Sequence, residues 1–205
     1  MIQIPIGKRI SKTIPKEAFF RNLDIAPGIK NKFVSDIKKL TLVQSISPLT
    51  CNLAPGEDVN EINIMEIELK KQEADLRVLE CIAKQTPFKL IFSLIYEGQE
   101  QIVVYHNKLF NTGWNREGMV AIDFKGLNLN ELWKYIVSQV GAFEVTREEE
   151  LDEVIEQNQQ IEKMKKQITI LENKVLREKQ FNRQVELNER LKQLWAKYKT
   201  LVVKS

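Results

Sequence analysis

Histidine and cysteine are scarce in this chain of 205 residues, and their scarcity excludes several kinds of site. There is one histidine, His106, and there are two cysteines, Cys51 and Cys81. Structural zinc sites take four Cys or His ligands, so a zinc site of that kind is not expected. A Ser-His-Asp or Cys-His catalytic site is also unsupported, because no partner for His106 is implied nearby in the sequence. Two cysteines without a CxxC pair fit a reduced, cytoplasmic protein.

Long apolar runs, phosphate-binding motifs and a strong net charge are lacking too. No apolar run approaches the roughly 20 residues that span a bilayer, and no secretory signal is visible, so no membrane partner is expected. Neither GxxxxGK[ST] nor GxGxxG occurs, so a nucleotide-binding phosphate loop is unsupported. The chain carries 31 Lys and Arg against 28 Asp and Glu, a formal net charge of +3. The whole chain therefore shows no electrostatic signature of nucleic-acid binding, and any basic surface must be local.

Proline and glycine are absent from the last third of the chain. All 6 prolines and all 8 glycines precede residue 142. The following tract is rich in Glu, Lys, Gln, Asn and Arg, which predicts a helical arm over residues 145–205. Thr146 with Glu149 three positions later fits a capping box at the start of this helix. The remaining residues, 1–144, form the other predicted domain.

Apolar residues in the arm follow a heptad seam. Val154, Ile161, Ile168 and Val175 are seven apart, with Met164 and Leu171 at the alternate core positions, which favours a coiled coil. The seam falters at Glu178 and Asn182, and a second, displaced stripe follows, so we expect a stutter, a bend or a second helix near 178–186. The partner-binding residues predicted from the two stripes are Val154, Ile161, Met164, Ile168, Leu171, Val175, Leu187, Leu191, Leu194, Trp195 and Tyr198.

The first domain mixes both kinds of periodicity, which predicts an α+β fold with a mixed β-sheet covered by helices, followed by the long C-terminal helix or coiled coil. The strand–helix–strand unit over 61–96 should be a parallel crossover. Asn128 or Asn130 is expected to cap the last helix of the domain. The predicted helices lie at 15–21, 30–37, 73–84 and 129–140, and the predicted strands at 39–47, 61–69, 88–96, 101–105 and 120–124.

Glu66, Glu68 and Lys70 form the best candidate for a catalytic site. In a strand these three residues share one face, and Glu-x-Lys at a strand end is the pattern of restriction-type nucleases. The carboxylate there binds Mg²⁺ and the lysine steadies the attacking water. Asp58 is the nearest candidate for the additional carboxylate. The alternative is a strand end on a half-covered sheet, where Glu and Lys reach solvent or pair with each other. Mg²⁺ is expected as a cofactor only under the nuclease hypothesis.

The first forty residues are basic, with Asp24, Asp36 and Glu17 as their only acids. One interpretation is contact with DNA or RNA phosphates, and the other is a solvated helix face. The candidate nucleic-acid-binding residues are Lys8, Arg9, Lys12, Lys16 and Arg21.

An ordered set of segments resembles a bacterial family of unknown function, family 4391. The segments are Ile14-Pro15-Lys16, Lys32–Ile37, Leu49–Leu53, Ile64–Lys70, Thr86-Pro87-Phe88 and Phe181–Asn188. No single motif is distinctive, and the resemblance carries over no catalytic residue. It implies a setting, because members look like companions of DNA methyltransferases and helicases in restriction-like defence loci.

These observations together favour a non-catalytic adaptor of a bacterial DNA restriction or phage-defence system. Its expected partner is a larger helicase, methyltransferase or nuclease subunit, and the helical arm would bind that partner or form a homo-oligomer. The alternatives are a Mg²⁺-dependent nuclease that uses Glu66, Glu68 and Lys70, and a protein that binds nucleic acid without sequence preference.

Overall fold

A computed structural model describes residues 7–146 and 150–203 of the chain. The chain divides into two compact units, Met1–Glu144 and Val145–Ser205. The predicted α+β fold, a mixed sheet with helices and a long helical C-terminal segment, is confirmed. None of the helices described is long and apolar enough to span a membrane. The elements are β1 (Lys8–Thr13), α1 (Lys16–Asn22), α2 (Pro27–Asp36), β2 (Ile37–Ile46), β3 (Ile62–Leu69), α3 (Arg77–Gln85), β4 (Lys89–Tyr96), β5 (Gln99–His106), β6 (Lys108–Asn111), β7 (Asn115–Arg116), α4 (Leu129–Gly141), α5 (Leu151–Arg177) and α6 (Phe181–Val203).

The sheet of the first unit has its six longer strands in chain order, β1 to β6, and β7 pairs with β5. All neighbours are antiparallel except β3 and β4, which are parallel and are joined through α3. The predicted parallel crossover is therefore confirmed. β4 and β5 form a hairpin with Glu97 and Gly98 at its turn, and both have positive φ, of 44° and 75°. A two-residue turn in which both residues have positive φ matches the twist of the flanking strands, and Gly98 adopts this conformation without steric cost.

Two parts of the predicted strand pattern are wrong. Residues 120–124 form no strand, although they alternate apolar and polar side chains. Their backbone is instead fastened to α4, where Gln139 Oε1 accepts from the Asp123 N–H at 2.8 Å and Gln139 Nε2 donates to the Asp123 carbonyl. The edge strands β1 and β6 were not predicted, because neither shows the alternation of apolar and polar residues that identifies a strand in a sequence. Each is a strand through its pairing with a neighbouring strand.

The two faces of the sheet are covered by different helices. Met65, Ile67, Phe92 and Leu94 lie in one cluster with buried side chains of α1, α2 and α3. The residues that alternate with them point to the opposite face, where α4 packs against β5 and β6. The apolar side chains buried in this second layer include Ile62, Ile64, Ile91, Ile102, Val104, Leu132, Trp133 and Ile136.

Two asparagines fix the start of α4. Asn128 is the N-cap, and its side chain accepts from the Glu131 N–H at 2.9 Å. Asn130 has a different task, since its Oδ1 accepts from the Val59 N–H at 2.9 Å in the loop before β3. Gly56 is needed beside it, because a Cβ on Gly56 would lie 2.0 Å from that same Oδ1. Of the two predicted caps, Asn128 is therefore the one that the structure uses.

The helical arm is a hairpin of two helices. α5 begins at Leu151 with Glu150 at the N-cap, so Thr146 is not the cap, and Glu149 of the predicted capping box lies outside the described residues. α5 ends at Arg177 and α6 begins at Phe181, and the two helices pack on each other. The chain reverses direction over residues 178–180, which contain no glycine or proline. Glu178 forms the reversal instead, because its Oε1 accepts from the N–H groups of Lys179 and Gln180, both at 2.9 Å.

Removal of the α4 cap has a calculable cost. We expect Asn128→Ala to lower the free energy of unfolding by about 1 kcal/mol, because the Glu131 N–H loses its acceptor at the helix start. Urea denaturation should show a lower midpoint with an unchanged slope. Asn60→Ala, in the exposed loop before β3, is the control and should change the midpoint little. Equal effects of the two substitutions would contradict the role of Asn128.

Candidate functional sites

The carboxylates of β3 lie on the polar end of the second sheet face. Glu66 pairs in register with Thr41 on β2 and with Ser93 on β4. Glu68 is two positions further along, and its carboxylate lies 3.0 Å from Lys38 Nζ and 3.8 Å from Lys39 Nζ. Glu68 is thus held by two lysines of β2.

Lys70 does not join these carboxylates. It follows the last residue of β3, and its Nζ donates to the Val34 carbonyl at 2.9 Å while its backbone N–H donates to the Asp36 carbonyl at 2.8 Å. Both acceptors belong to the last turn of α2, whose carbonyls have no partner within the helix. Lys70 therefore caps the C-terminus of α2, where a positive charge is also favoured by the helix dipole.

Asp58 lies at the opposite end of β3. It precedes the strand, in the loop that Asn130 holds through the N–H groups of Asp58 and Val59. The strand from Ile62 to Glu68 spans about 20 Å at 3.3 Å per residue. The structure therefore does not bring Asp58 to the other nuclease candidates. Among the described residues, no group of three or more His, Cys, Asp or Glu side chains has a geometry that could hold a metal ion.

Asp36, which the sequence singled out only as one of the few acids of a basic segment, is a buried carboxylate at this end of the sheet. It is 1% exposed, and its oxygens lie 2.8 Å from Lys71 Nζ and 3.0 Å from the backbone N of Asp75. Burial alone would raise the pKa of Asp36, but the hydrogen bonds from Lys71 and Ser35 outweigh it and lower the pKa below its ordinary value. Asp36 thereby ties the end of α2 to the loop that leaves β3.

Glu66 is in the opposite electrostatic situation. Burial raises its pKa, and the negative charges of Glu117, Glu68 and Glu100 act in the same direction. Glu100 itself is fully buried and accepts from Ser93 Oγ at 2.6 Å and from the Gly118 N–H at 3.0 Å. These hydrogen bonds overcome the effect of burial and lower the pKa of Glu100. Ser93 and Glu100 were missed in the sequence, because Ser93 lies in an apolar strand and Glu100 was predicted to lie in the hairpin loop. Only strand pairing brings both of them close to Glu66.

The basic residues predicted to bind nucleic acid lie in different surroundings. Lys8, Arg9 and Lys12 are exposed on β1, an edge strand whose register is interrupted between Arg9 and Lys12. Cations and a bulge on an edge strand are typical of protection against pairing with another chain. Lys16 donates from its Nζ to the Ile37 carbonyl, and burial lowers its pKa, with Lys70 adding to that effect. Arg21 lies exposed at the end of α1.

The two apolar stripes of the arm lie in the two helices of one hairpin. Val154, Ile161 and Ile168 are buried in α5, and Gln184 Nε2 of α6 donates to the Val175 carbonyl at 3.3 Å. Trp195 is 38% exposed, with its ring edge-on to Tyr198 at 5.5 Å between centroids. The other predicted partner-binding residues are all partly exposed: Met164, Leu171, Val175, Leu187, Leu191, Leu194 and Tyr198.

The end of the hairpin combines exposed apolar side chains with a basic concave surface. Leu176 is 80% exposed and Phe181 is 77% exposed, and they stand on either side of the turn. Close to the turn lies a cavity of about 420 Å³, which we call the tip cavity, and neither Leu176 nor Phe181 lines it. Neither large apolar residue was predicted to bind a partner, because both lie outside the heptad stripes. The tip cavity is lined by Lys174, Arg177, Glu178, Arg183, Glu186, Leu187 and Arg190.

We expect Asp36→Asn to lower the free energy of unfolding by about 2 kcal/mol at pH 7, because hydrogen bonds to a charged acceptor are lost. The lowered pKa of Asp36 means that its charge stabilises the fold above the unfolded pKa of about 3.9, and that this contribution is lost as the pH falls below about 4. The difference between wild type and variant should therefore shrink in acid. Urea denaturation at pH 7, 4 and 2.5 measures it. Asp123→Asn, at an exposed ion pair with Lys125, is the control and should change stability little at any of these pH values.

Glu66 and Glu68 should respond in opposite ways to loss of charge. Because the pKa of Glu66 is raised, its ionised form destabilises the fold at neutral pH, and Glu66→Gln should raise the urea midpoint at pH 7 but not at pH 3. Glu68→Gln removes the ion pairs with Lys38 and Lys39 and should cost about 0.5 kcal/mol at pH 7. A fall in stability with both substitutions would contradict the arrangement described for Glu66.

The comparisons with known proteins agree with the resemblance of the segments. Neither the curated proteins nor the solved structures gave a match. One family model matches residues 2–197, which is nearly the whole chain and includes both units. The chain therefore belongs to the family described as Domain of unknown function (DUF4391).

Proposed function

We propose that this chain is a non-catalytic interaction protein that binds another protein through the end of the α5–α6 hairpin. The observation that supports this most directly is the exposure of Leu176 and Phe181, at 80% and 77%, on either side of the hairpin turn. Large apolar side chains at a hairpin end contribute nothing to a fold while they stay in water, and aromatic side chains of this kind often dominate protein interfaces.

The apolar surface continues from the turn along α6. Val185 is 42% exposed and stands four positions after Phe181, so both side chains lie on the same face of the helix. A partner that covers Phe181 can therefore reach Val185 as well. On α5, Ile170 is 56% exposed and lies six positions before Leu176, about 1.7 turns away and on a different face of the helix. The hairpin thus offers apolar contacts on both of its helices.

The charges beside the turn indicate the chemistry of the partner. Four cations and two acids line the tip cavity, and three of the cations are arginines. Arginine binds carboxylates through two parallel hydrogen bonds, and it stays charged at a desolvated interface. We therefore expect a protein segment that presents apolar side chains flanked by Asp and Glu. The setting that the family resemblance implies makes a larger helicase, methyltransferase or nuclease subunit of a DNA restriction or phage-defence system the expected partner.

The two alternatives have weaker support. A Mg²⁺-dependent nuclease needs Glu68 and Lys70 at one site, whereas Lys70 Nζ is bonded to the Val34 carbonyl on α2. Nonspecific binding of nucleic acid would use Lys8, Arg9 and Lys12, which lie on an edge strand where cations also prevent unwanted pairing. Both remain hypotheses without an observation that favours them.

The proposal predicts that Leu176→Ser combined with Phe181→Ser weakens binding of the partner by at least about tenfold, as expected for loss of two central apolar contacts. The partner is first captured from host extract treated with a nuclease, then purified, and its affinity is measured by titration. Leu49→Ser is the matched control, because Leu49 is 97% exposed but lies in the first unit.

A second pair of variants separates charge from apolar contact. Arg183→Glu with Arg190→Glu should weaken the same binding and reverse its dependence on salt. Sedimentation of the wild type alone, at several concentrations, shows whether the partner is a second copy of the chain. Undiminished binding by the Leu176 and Phe181 double variant would overturn the proposal, and so would binding that disappears once nucleic acid is digested.

A further inference from the structure

A second cavity lies in the first unit, between α1 and α3 on the face of the sheet that these helices cover. Its volume is about 270 Å³, and its walls are almost entirely apolar. Phe88 at its rim is 40% exposed, which leaves a route from solvent, whereas Ile82 at its base is 1% exposed. We call it the α1–α3 cavity, and its remaining apolar lining comes from Ile14, Ala18, Phe19, Leu23, Leu42, Met65 and Leu90.

One polar atom in this wall, the side-chain oxygen of Asn63, is buried without a hydrogen-bond partner among the described residues. Asn63 on β3 is 6% exposed, and its Oδ1 has no hydrogen bond to any of the residues that the structure describes. An unsatisfied buried amide oxygen costs about 1–3 kcal/mol, so such groups are rare and call for an explanation. The neighbouring positions on the same face of β3 are apolar, and asparagine is unfavourable within strands. An apolar residue would therefore suit the fold better at this position.

The other polar side chains in the wall are satisfied by the chain itself. Asn22 Nδ2 donates to the Ala18 carbonyl at 2.8 Å, and Thr86 Oγ1 donates to the Ile82 carbonyl at 2.6 Å. Ser45, which pairs with Asn63 in register, gives its hydroxyl hydrogen to Glu61 Oε1 at 2.7 Å. Asn63 is thus left as the group that can direct a bound molecule.

The lining also limits what that molecule is. Among the residues that the structure describes, no Lys, Arg, Asp, Glu or His side chain lines the α1–α3 cavity, so a phosphate, a carboxylate or an amine cation would be bound without a counter-charge. Its volume is slightly below the range of about 300–1,000 Å³ that holds drug-sized ligands, which fits one fused ring system or a short chain.

We propose that the α1–α3 cavity binds a small, neutral, mostly apolar molecule that donates one N–H or O–H hydrogen bond to the carboxamide of Asn63. This site is separate from the hairpin that carries the proposed function, and the two proposals stand or fall independently. Burial of the apolar part of the ligand supplies the affinity, and the hydrogen bond to Asn63 supplies the selectivity.

A matched pair of probes tests the site in the full chain. Indole fits the cavity and has one N–H donor, and benzofuran has nearly the same shape but no donor. Calorimetric titration measures both affinities, and methyl resonances of Met65, Ile82 and Leu90 report whether the probe is inside. We expect saturable binding of indole at this site, with a preference over benzofuran of about fivefold, the effect of one net hydrogen bond.

Two substitutions and a control isolate the two parts of the proposal. Asn63→Leu keeps the size of the side chain and should abolish the preference for indole while leaving benzofuran bound. Ala18→Leu extends a side chain from α1 into the cavity without loss of helix propensity, and it should abolish binding of both probes. Ala196→Leu, at an exposed position of α6, is the control and should change neither affinity. Circular dichroism verifies that each variant is folded.

Three results would overturn the proposal. The first is the absence of saturable binding by the wild type, which would mean that the cavity holds only water. The second is an unchanged preference for indole in Asn63→Leu, and the third is unchanged binding in a folded Ala18→Leu variant.

Discussion

A buried carboxylate, Asp36, is the constraint on which the arrangement of the first unit depends. Removal of a carboxylate from water costs several kcal/mol unless hydrogen bonds and an opposite charge replace the water. Asp36 meets that condition through Lys71 and the Asp75 N–H, both of which come from the loop after β3. The loop must therefore return to the end of α2, and Lys70 returns with it to cap that helix. The requirement of one buried charge thus decides where the neighbouring lysines lie.

The position of the loop after β3 also determines which groups the charged residues of β3 contact. A strand places alternate residues on one face, so sequence spacing alone puts Glu66, Glu68 and Lys70 together. The strand ends at Leu69, however, and Lys70 is already part of the loop that Asp36 holds. Glu68 then takes its counter-charges from Lys38 and Lys39 on the adjacent strand. Of the residues in this pattern, Glu68 therefore bonds to β2 and Lys70 to α2.

Elements whose signal is local could be predicted from the sequence, whereas features that depend on pairing could not. The parallel unit of β3, α3 and β4 is encoded in its own periodicity, and so is the cap at Asn128. β1 is polar except for Ile10 and becomes a strand only by pairing with β2, and residues 120–124 have strand-like alternation but bond to Gln139 instead. The faltering seam predicted a stutter, a bend or a second helix near 178–186, and the chain reverses at 178–180. Which of the three occurs could not be predicted, because the Glu178 side chain bonds to the N–H groups of the reversal and no glycine or proline marks it. Asn63 carried no sequence signal at all, since its isolation exists only once α1 and α3 enclose it.

The net charge of the chain is small, but its Lys and Arg residues fall into three groups that differ in what they contact. Lys16, Lys38, Lys39, Lys70 and Lys71 all bond to carbonyls or carboxylates of the first unit, and they hold its elements together. Lys8, Arg9 and Lys12 stand on an edge strand, where charge keeps other strands away. The arginines at the end of the hairpin differ from both groups, because they line the tip cavity near the turn that also carries Leu176 and Phe181. Positive charge and exposed apolar side chains at one hairpin end suit the proposed recognition of another protein, since the charge sets orientation and the apolar contact supplies affinity. The surroundings of each cation, rather than the sum of charges, therefore decide what it contacts, whereas the α1–α3 cavity of the first unit is lined by apolar and uncharged polar side chains.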